Sequence, residues 1–164
     1  MHLVLSSARP TTSTQQPANR AGRVSLYGAI VGLVLACNNV DRTQVMRLLE
    51  LVDSVEEDTF GTLLAFISYQ AGRRRDRGRE YIPIEAARVV IDCLLRLRDE
   101  LGSIERNELL RCFSMAKWTY TAISQAFRNV CQHLNIRSIR SCTDILSRFN
   151  SVEEVIRTIV ASQR

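Results

Sequence analysis

The stretch QAGRRRDRGRE, residues 70–80, concentrates much of the positive charge of this chain. Guanidinium groups bind phosphate through paired hydrogen bonds and stack on planar rings. Five like charges in one loop repel one another unless an anion lies near them. The pattern therefore predicts contact with a phosphate backbone, and a solvated surface loop is the alternative. The five arginines occur within seven positions: Arg73, Arg74, Arg75, Arg77 and Arg79.

Other basic side chains extend this predicted surface. Lys117 and Trp118 are adjacent in KWTY, and an exposed tryptophan beside a lysine can stack a base, whereas a tryptophan between helices only packs. Contacts to the backbone alone give salt-sensitive binding without base readout. The further candidate nucleic-acid-binding residues are Arg106, Arg111, Lys117, Trp118, Arg128, Arg137 and Arg140.

The sequence contains no set of residues that predicts catalysis. His133 is the one internal histidine, no glycine-rich phosphate loop occurs, and the acidic residues after Ser54 and Ser103 are placed as helix N-termini prefer. Five cysteines are spread along the chain without a Cys-x-x-Cys pair, so no zinc-ligand spacing exists. We expect a protein that is not an enzyme and holds neither a metal nor a cofactor.

The cysteine count and the apolar pattern bear on location. An odd number of cysteines in a chain with its own core favours reduced, buried thiols in a cytosol-like compartment. The most apolar stretch, residues 24–37, is shorter than the roughly 20 residues of a membrane-spanning helix. No charged segment precedes the short apolar run at the start, as a signal peptide would need. The sequence thus predicts a soluble, cytoplasmic protein.

Composition sets the size and class of the fold. The chain has 164 residues, 46% of them hydrophobic and 24% charged, with a net charge of +5. That is enough for one domain with a real core. Lys117 is the only lysine among 22 basic residues. A GC-rich genome would produce this skew towards arginine, and so would a need for guanidinium chemistry.

Apolar residues recur at helical spacing from residue 24 onwards. We predict an all-α fold: a single compact bundle of six or seven helices over 24–164, with one long central helix, after a flexible N-terminal arm over 1–23. Thr119 and Thr121 predict a bend in the long helix, and Ser103 is its predicted cap. The predicted helices cover 24–36, 42–52, 54–72, 83–101, 103–134, 141–149 and 151–161.

Two copies of SVEE, beginning at Ser54 and Ser151, have the pattern of a capping box. In this motif the serine side chain accepts a hydrogen bond from the backbone three residues on, and the glutamate there bonds back. Each copy is predicted to start a helix. The residues that follow the two copies do not match, so an internal duplication is not indicated.

Two stretches resemble one known family. DTFGTLLAFISYQAGRR, residues 58–74, and ERNELLRCFSMAKWTYTAI, residues 105–123, resemble helices of the small helical subunit of type III CRISPR effector complexes. The resemblance implies an all-α protein without nuclease activity that stacks with copies of itself and other effector subunits. It also implies contact with the backbone of the crRNA and target strand through Arg73, Arg74, Arg75, Lys117 and neighbouring arginines.

Two other functions remain open from the residues alone. One is a helical protein-interaction or regulatory module whose basic loop docks on an acidic partner. The other is a sequence-specific DNA regulator, which would need a helix-turn-helix with a basic second helix. The tight turns at 38–42 and 52–55 lead instead into helices with acidic openings.

Overall fold

The computed structural model describes residues 17–74, Gly78 and residues 80–163. The all-α prediction is confirmed, with eight helices in this part of the chain rather than six or seven, and with isolated bridges but no strand among the described residues. The helices are α1 Pro17–Cys37, α2 Arg42–Ser54, α3 Thr59–Gln70, α4 Ile84–Leu101, α5 Arg106–Gln125, α6 Val130–His133, α7 Cys142–Leu146 and α8 Val152–Ala161, with a 3₁₀ turn at Ile136–Ser138.

Helix α1 runs through the centre of the bundle. Every residue from 26 to 37 is buried, and α4, α5, α7 and α8 all pack against it. By length and composition alone, Asn19–Cys37 could cross a membrane, but 72% of that window is buried inside the folded chain. A helix that is apolar on all sides can be the core of a globular protein, and α1 has that position here.

Two glycines let α1 and α5 approach closely. A Cβ atom added at Gly28 would lie 2.3 Å from the carbonyl oxygen of Cys112, and one at Gly32 would lie 2.4 Å from that of Ala116. Both distances are far shorter than any real carbon–oxygen contact. The two backbones are therefore in direct contact, and only glycine fits at these positions of α1.

The first turns of α1 are tied down by ion pairs. Arg20 donates Nε and Nη2 hydrogen bonds of 2.6 and 2.9 Å to the carboxylate of Glu108 on α5, and this holds the pKa of Glu108 below its usual value. Arg23 pairs with Glu100 at 2.8 Å. Because these contacts order the chain from Pro17, the predicted start at 24 was wrong and residues 17–23 belong to the bundle. Residues 1–16 of the predicted arm lie outside the described residues.

The two SVEE segments behave differently. Ser151 caps α8 as predicted, since its Oγ accepts a 3.3 Å hydrogen bond from the backbone of Glu154. Ser54 does not cap α3; it is the last residue of α2, and Asp58 caps α3 through a bond from Gly61 N. Because α2 extends through Ser54, α3 starts at the later of the two candidate caps.

The predicted long helix is in fact two. Helix α5 is continuous through both threonines, because Thr119 is buried and packs on Gly32 of α1, and packing overrides weak helix propensity. The chain leaves helical geometry at Ala126, with φ −134°, and turns into α6. The bend at the threonines was therefore wrong and so was the end at residue 134. Gly102 ends α4 at φ 78°, as predicted, while α5 begins after Glu105 rather than Ser103.

Four of the five cysteines form disulfides, contrary to the prediction of reduced thiols. The Cα atoms lie 5.2 Å apart for Cys37–Cys131 and 5.1 Å apart for Cys93–Cys142, within the usual range for this bond. The partners are 94 and 49 positions apart in the sequence, so only the fold brings them together. Cys112 is the odd one; its burial raises the pKa of the thiol to about 12 and keeps it protonated.

Gly32→Ala is expected to lower the free energy of unfolding by about 1–3 kcal/mol, because the added methyl overlaps the backbone of α5. Gly22→Ala is the matched control in the same helix, since nothing lies within 4 Å of a Cβ there. This control should raise stability by up to about 1 kcal/mol through helix propensity alone. Urea unfolding of both variants measures the difference. Changes of the same sign in both would contradict the close crossing.

Alkylation of the denatured protein should label one thiol without reductant and five after reduction, as one free cysteine and two disulfides require. Reduction should also lower the free energy of unfolding, by about 2–4 kcal/mol per bond, because each bond restricts the unfolded chain. Intact-mass spectrometry and urea unfolding check the two parts. Five labelled thiols in the unreduced protein would show that the cysteines are not paired.

Candidate nucleic-acid interface

The arginine-rich stretch forms a hairpin between α3 and α4, which we call the arginine hairpin (residues 72–82). Gly72, at φ 70°, turns the chain out of α3 and donates a 3.0 Å hydrogen bond to Ile82 O. Tyr81 N bonds to Arg73 O at 2.8 Å, and Arg74 faces Glu80 in an antiparallel bridge. The two ends of the stretch therefore run side by side. Arg75, Arg77 and Arg79, predicted to bind phosphate, lie outside the described residues.

Arg73 is stacked between two aromatic rings at the base of the hairpin. Its guanidinium carbon lies 4.3 Å from the centroid of Tyr69 and 5.3 Å from that of Tyr81, and Nη1 donates to Gln70 Oε1 at 3.2 Å. Arg73 is nevertheless exposed, as is Arg74, and Tyr69 is 61% exposed. Cation–π contacts fix the orientation of the guanidinium. The guanidinium is thus ordered at the surface, with an exposed aromatic ring beside it.

Sequence reasoning missed both tyrosines. Tyr69 lies four residues before Arg73, but α3 ends at Gln70 and Gly72 turns the chain, so helical spacing did not predict this contact. Tyr81 comes close only because the hairpin folds back, and no local pattern indicates that.

Arg106 has a structural position. Its Nε donates to Val52 O at 3.2 Å, its Nη2 donates to Asp53 O, and it also forms an ion pair with the Asp53 carboxylate at 3.8 Å. These carbonyls are at the C-terminus of α2, where a cation offsets the helix dipole. The guanidinium therefore holds α5 to α2, with Nε and Nη2 engaged within the chain.

The outer side of α5 carries the remaining candidates of that helix. Trp118 is 63% exposed, so it does not fill a helix–helix contact. Arg111 is also exposed and Lys117 is half-buried. Arg111 and Trp118 are seven residues apart and share one side of the helix. The structure thus leaves an arginine and a stacking surface together on α5.

The last three candidates gather at the C-terminal end of α1. Arg128 Nη1 bonds to Asn39 Oδ1, Arg137 Nε bonds to Cys37 O, and Arg140 Nη1 bonds to Arg137 O, each at 3.1 Å. Arg128 and Arg137 line a cavity of about 420 Å³ there. These residues form a second basic site, built from different elements than the arginine hairpin.

The described residues contain no group of three or more His, Cys, Asp or Glu side chains that could hold a metal ion. Comparison with protein-family models, with curated proteins and with solved structures finds no match to this chain. Functional inference therefore depends on the geometry of the two basic sites and on the resemblance of the two sequence stretches.

Arg106→Gln is expected to lower the free energy of unfolding by about 1–2 kcal/mol, since the carbonyls at the end of α2 lose a charged donor. Arg111→Gln removes the same charge one to two turns along α5 from an exposed position, and should change stability by less than about 0.5 kcal/mol. Urea unfolding of the two variants measures this contrast. Equal losses in both would contradict the structural position of Arg106.

Proposed function

We propose that this chain is a non-catalytic subunit of an RNA-guided type III CRISPR effector ribonucleoprotein and binds the nucleic-acid backbone through the arginine hairpin. The observation that carries the proposal is the base of the hairpin, where Arg73 is stacked on Tyr69 and both remain exposed beside Arg74. Ordered guanidinium groups next to an open aromatic ring suit a strand, which offers phosphates and bases together.

Charge supports a polyanionic ligand. The net charge is +5, and Arg73 and Arg74 form no salt bridge within the described part of the chain. Contacts of this kind read the backbone and not the bases. The proposed subunit therefore follows a guide–target duplex whose sequence is set by base pairing.

Assembly along the strand would use the exposed apolar side chains. Trp118 is 63% exposed on α5, and Ile156 and Val160 are 39% and 51% exposed, one turn apart on α8. Exposed apolar side chains of this kind can be covered by a neighbouring subunit. In the proposed complex they contact further copies of this chain and other effector subunits.

The disulfides restrict where this function can operate. Disulfides persist in oxidising compartments and also in the intracellular proteins of hyperthermophiles. A cytoplasmic effector complex with Cys37–Cys131 and Cys93–Cys142 intact therefore implies a hyperthermophilic cell. The proposed function can therefore also be tested by asking whether the source cell is a hyperthermophile.

Replacing Arg73 and Arg74 together with glutamine is expected to weaken single-stranded RNA binding and to reduce the slope of log K against log salt by about 1.4, or about 0.7 per lost phosphate contact. The control replaces Arg88 and Arg157, whose side chains are 69% and 77% exposed on other helices. It removes the same charge and should leave the slope unchanged. Fluorescence anisotropy between 50 and 200 mM salt, roughly the range in which such contacts are lost, measures both.

The same pair of variants is then compared in the complex purified from the native source, because stacked copies add avidity that an isolated subunit lacks. Co-purified guide RNA and several effector subunits are the expected result. Unchanged salt slopes in both the isolated protein and the complex would contradict the hairpin as the binding site. Recovery of one acidic protein without RNA would favour the interaction module instead.

A further inference from the structure

A cavity of about 420 Å³ opens at the C-terminal end of α1. That volume is within the range of about 300–1,000 Å³ typical of small-ligand pockets. The wall comes from the end of α1 and the turn after it, from the turn that precedes α6, from α6 itself and from the segment that follows it. Among the described residues, its polar lining consists of arginine and side-chain amides without an acidic residue: Asn39, Arg128, Asn129, Gln132, Asn135 and Arg137.

Both arginines of the cavity are held in place yet retain free donors. Arg137 bonds through Nε to Cys37 O, and Arg128 bonds through Nη1 to the side chain of Asn39. Neither forms a salt bridge with any described carboxylate. A guanidinium carries five N–H donors, so most of those on each side chain remain for a ligand. Two positive charges thus line one cavity, and no described carboxylate forms a salt bridge with either of them.

The end of a helix normally repels anions, because its last carbonyls carry partial negative charge. Here each carbonyl of residues 34–37 accepts at least one hydrogen bond from the chain itself, which reduces the partial negative charge that the helix end presents to the cavity. The bonds, all 2.8–3.2 Å long, are Asn38 N and Nδ2 to Val34, Val40 N to Leu35, Asn39 N to Ala36 and Arg137 Nε to Cys37.

The disulfide makes this cavity a preformed one. Cys37 and Cys131 both line it, and their bond ties α6 to the end of α1. The end of α1 is therefore joined covalently to the segment that carries both Arg128 and Arg137. A rigid wall lowers the cost of ordering the site when a ligand binds.

We propose that this cavity binds a phosphate monoester. Two guanidinium groups with free donors match the charge and the several oxygen acceptors of that dianion, and the amides of Asn39, Gln132 and Asn135 can bond to whatever the phosphate is attached to. A free nucleotide and the phosphorylated 5′ end of a strand share this chemistry. The site is distinct from the arginine hairpin, which is built from other elements and would contact internal phosphates.

The test is isothermal titration calorimetry of the full chain, unreduced, with adenosine 5′-monophosphate and with adenosine. The nucleotide should bind and the nucleoside should not. Arg128→Gln should weaken nucleotide binding about tenfold or more, because it removes a charged hydrogen bond. Arg88→Gln removes an exposed arginine elsewhere and should change the affinity less than about twofold.

Arg137→Gln is the second variant, and thermal unfolding establishes that it is folded before titration, since Arg137 also caps α1. Arg128 is exposed and bonds only to a side chain, so Arg128→Gln carries the test if Arg137→Gln is unfolded. A matched pair of oligonucleotides, with a 5′-phosphate and with a 5′-hydroxyl, identifies the source of the ligand. Preference for the phosphorylated oligonucleotide over the free nucleotide assigns the strand end, and equal binding of the two assigns the phosphate group alone.

The proposal is overturned if neither the nucleotide nor the phosphorylated oligonucleotide binds more tightly than its unphosphorylated partner. It is also overturned if Arg128→Gln and Arg88→Gln weaken binding equally. The variant with Arg73 and Arg74 replaced separates this site from the proposed function: it should keep full nucleotide affinity while losing affinity for internal strand. Loss of nucleotide binding in that variant would place the phosphate at the hairpin and contradict the cavity site.

Discussion

The close contact between α1 and α5 is the constraint on which the rest of this structure depends. At Gly28 and Gly32 the backbone of α1 touches the carbonyl oxygens of α5, so these two helices share one fixed position. The other helices pack around the pair, since α2 and α3 lie against α5 and α4, α7 and α8 against α1. Both basic sites lie on the surface of the bundle that this helix pair organises. One is at the α3–α4 connection and the other is at the C-terminal end of α1.

The arginines of this chain divide into two kinds by what their guanidinium groups contact. Arg20, Arg23 and Arg106 join helix ends to carboxylates and carbonyls that lie far away in the sequence. Arg73 and Arg128 instead make only short-range or side-chain contacts at the surface and keep most donors free. A planar group with five donors suits both tasks. The excess of arginine over lysine is therefore explained in part by these contacts between helices, besides any effect of a GC-rich genome or of ligand binding.

Local pattern predicted the helices well where one signal dominated. Pro83 and Gly102 bracket α4 as expected, and Ser151 caps α8. Helix boundaries were predicted wrongly where two residues could each cap the same helix, or where the apolar spacing continued beyond the end of the helix. Ser54 and Asp58 both have capping side chains, and Asp58 caps α3 because Ser54 is still part of α2. The apolar spacing of α5 continues past Gln125 into α6 although the chain turns, because spacing reports which side is apolar and not whether the helix is unbroken.

The sequence by itself determined the all-α class, the apolar core helix, the density of arginine between α3 and α4 and the absence of catalytic motifs, because each of these follows from neighbouring residues. Only the tertiary structure decided the partners of Cys37 and Cys93, the stacking of Arg73 on Tyr81 and the meeting of Arg128 with Arg137 around one cavity. Each of these joins residues brought together by the path of the chain, and local propensity carries no information about contacts at that distance.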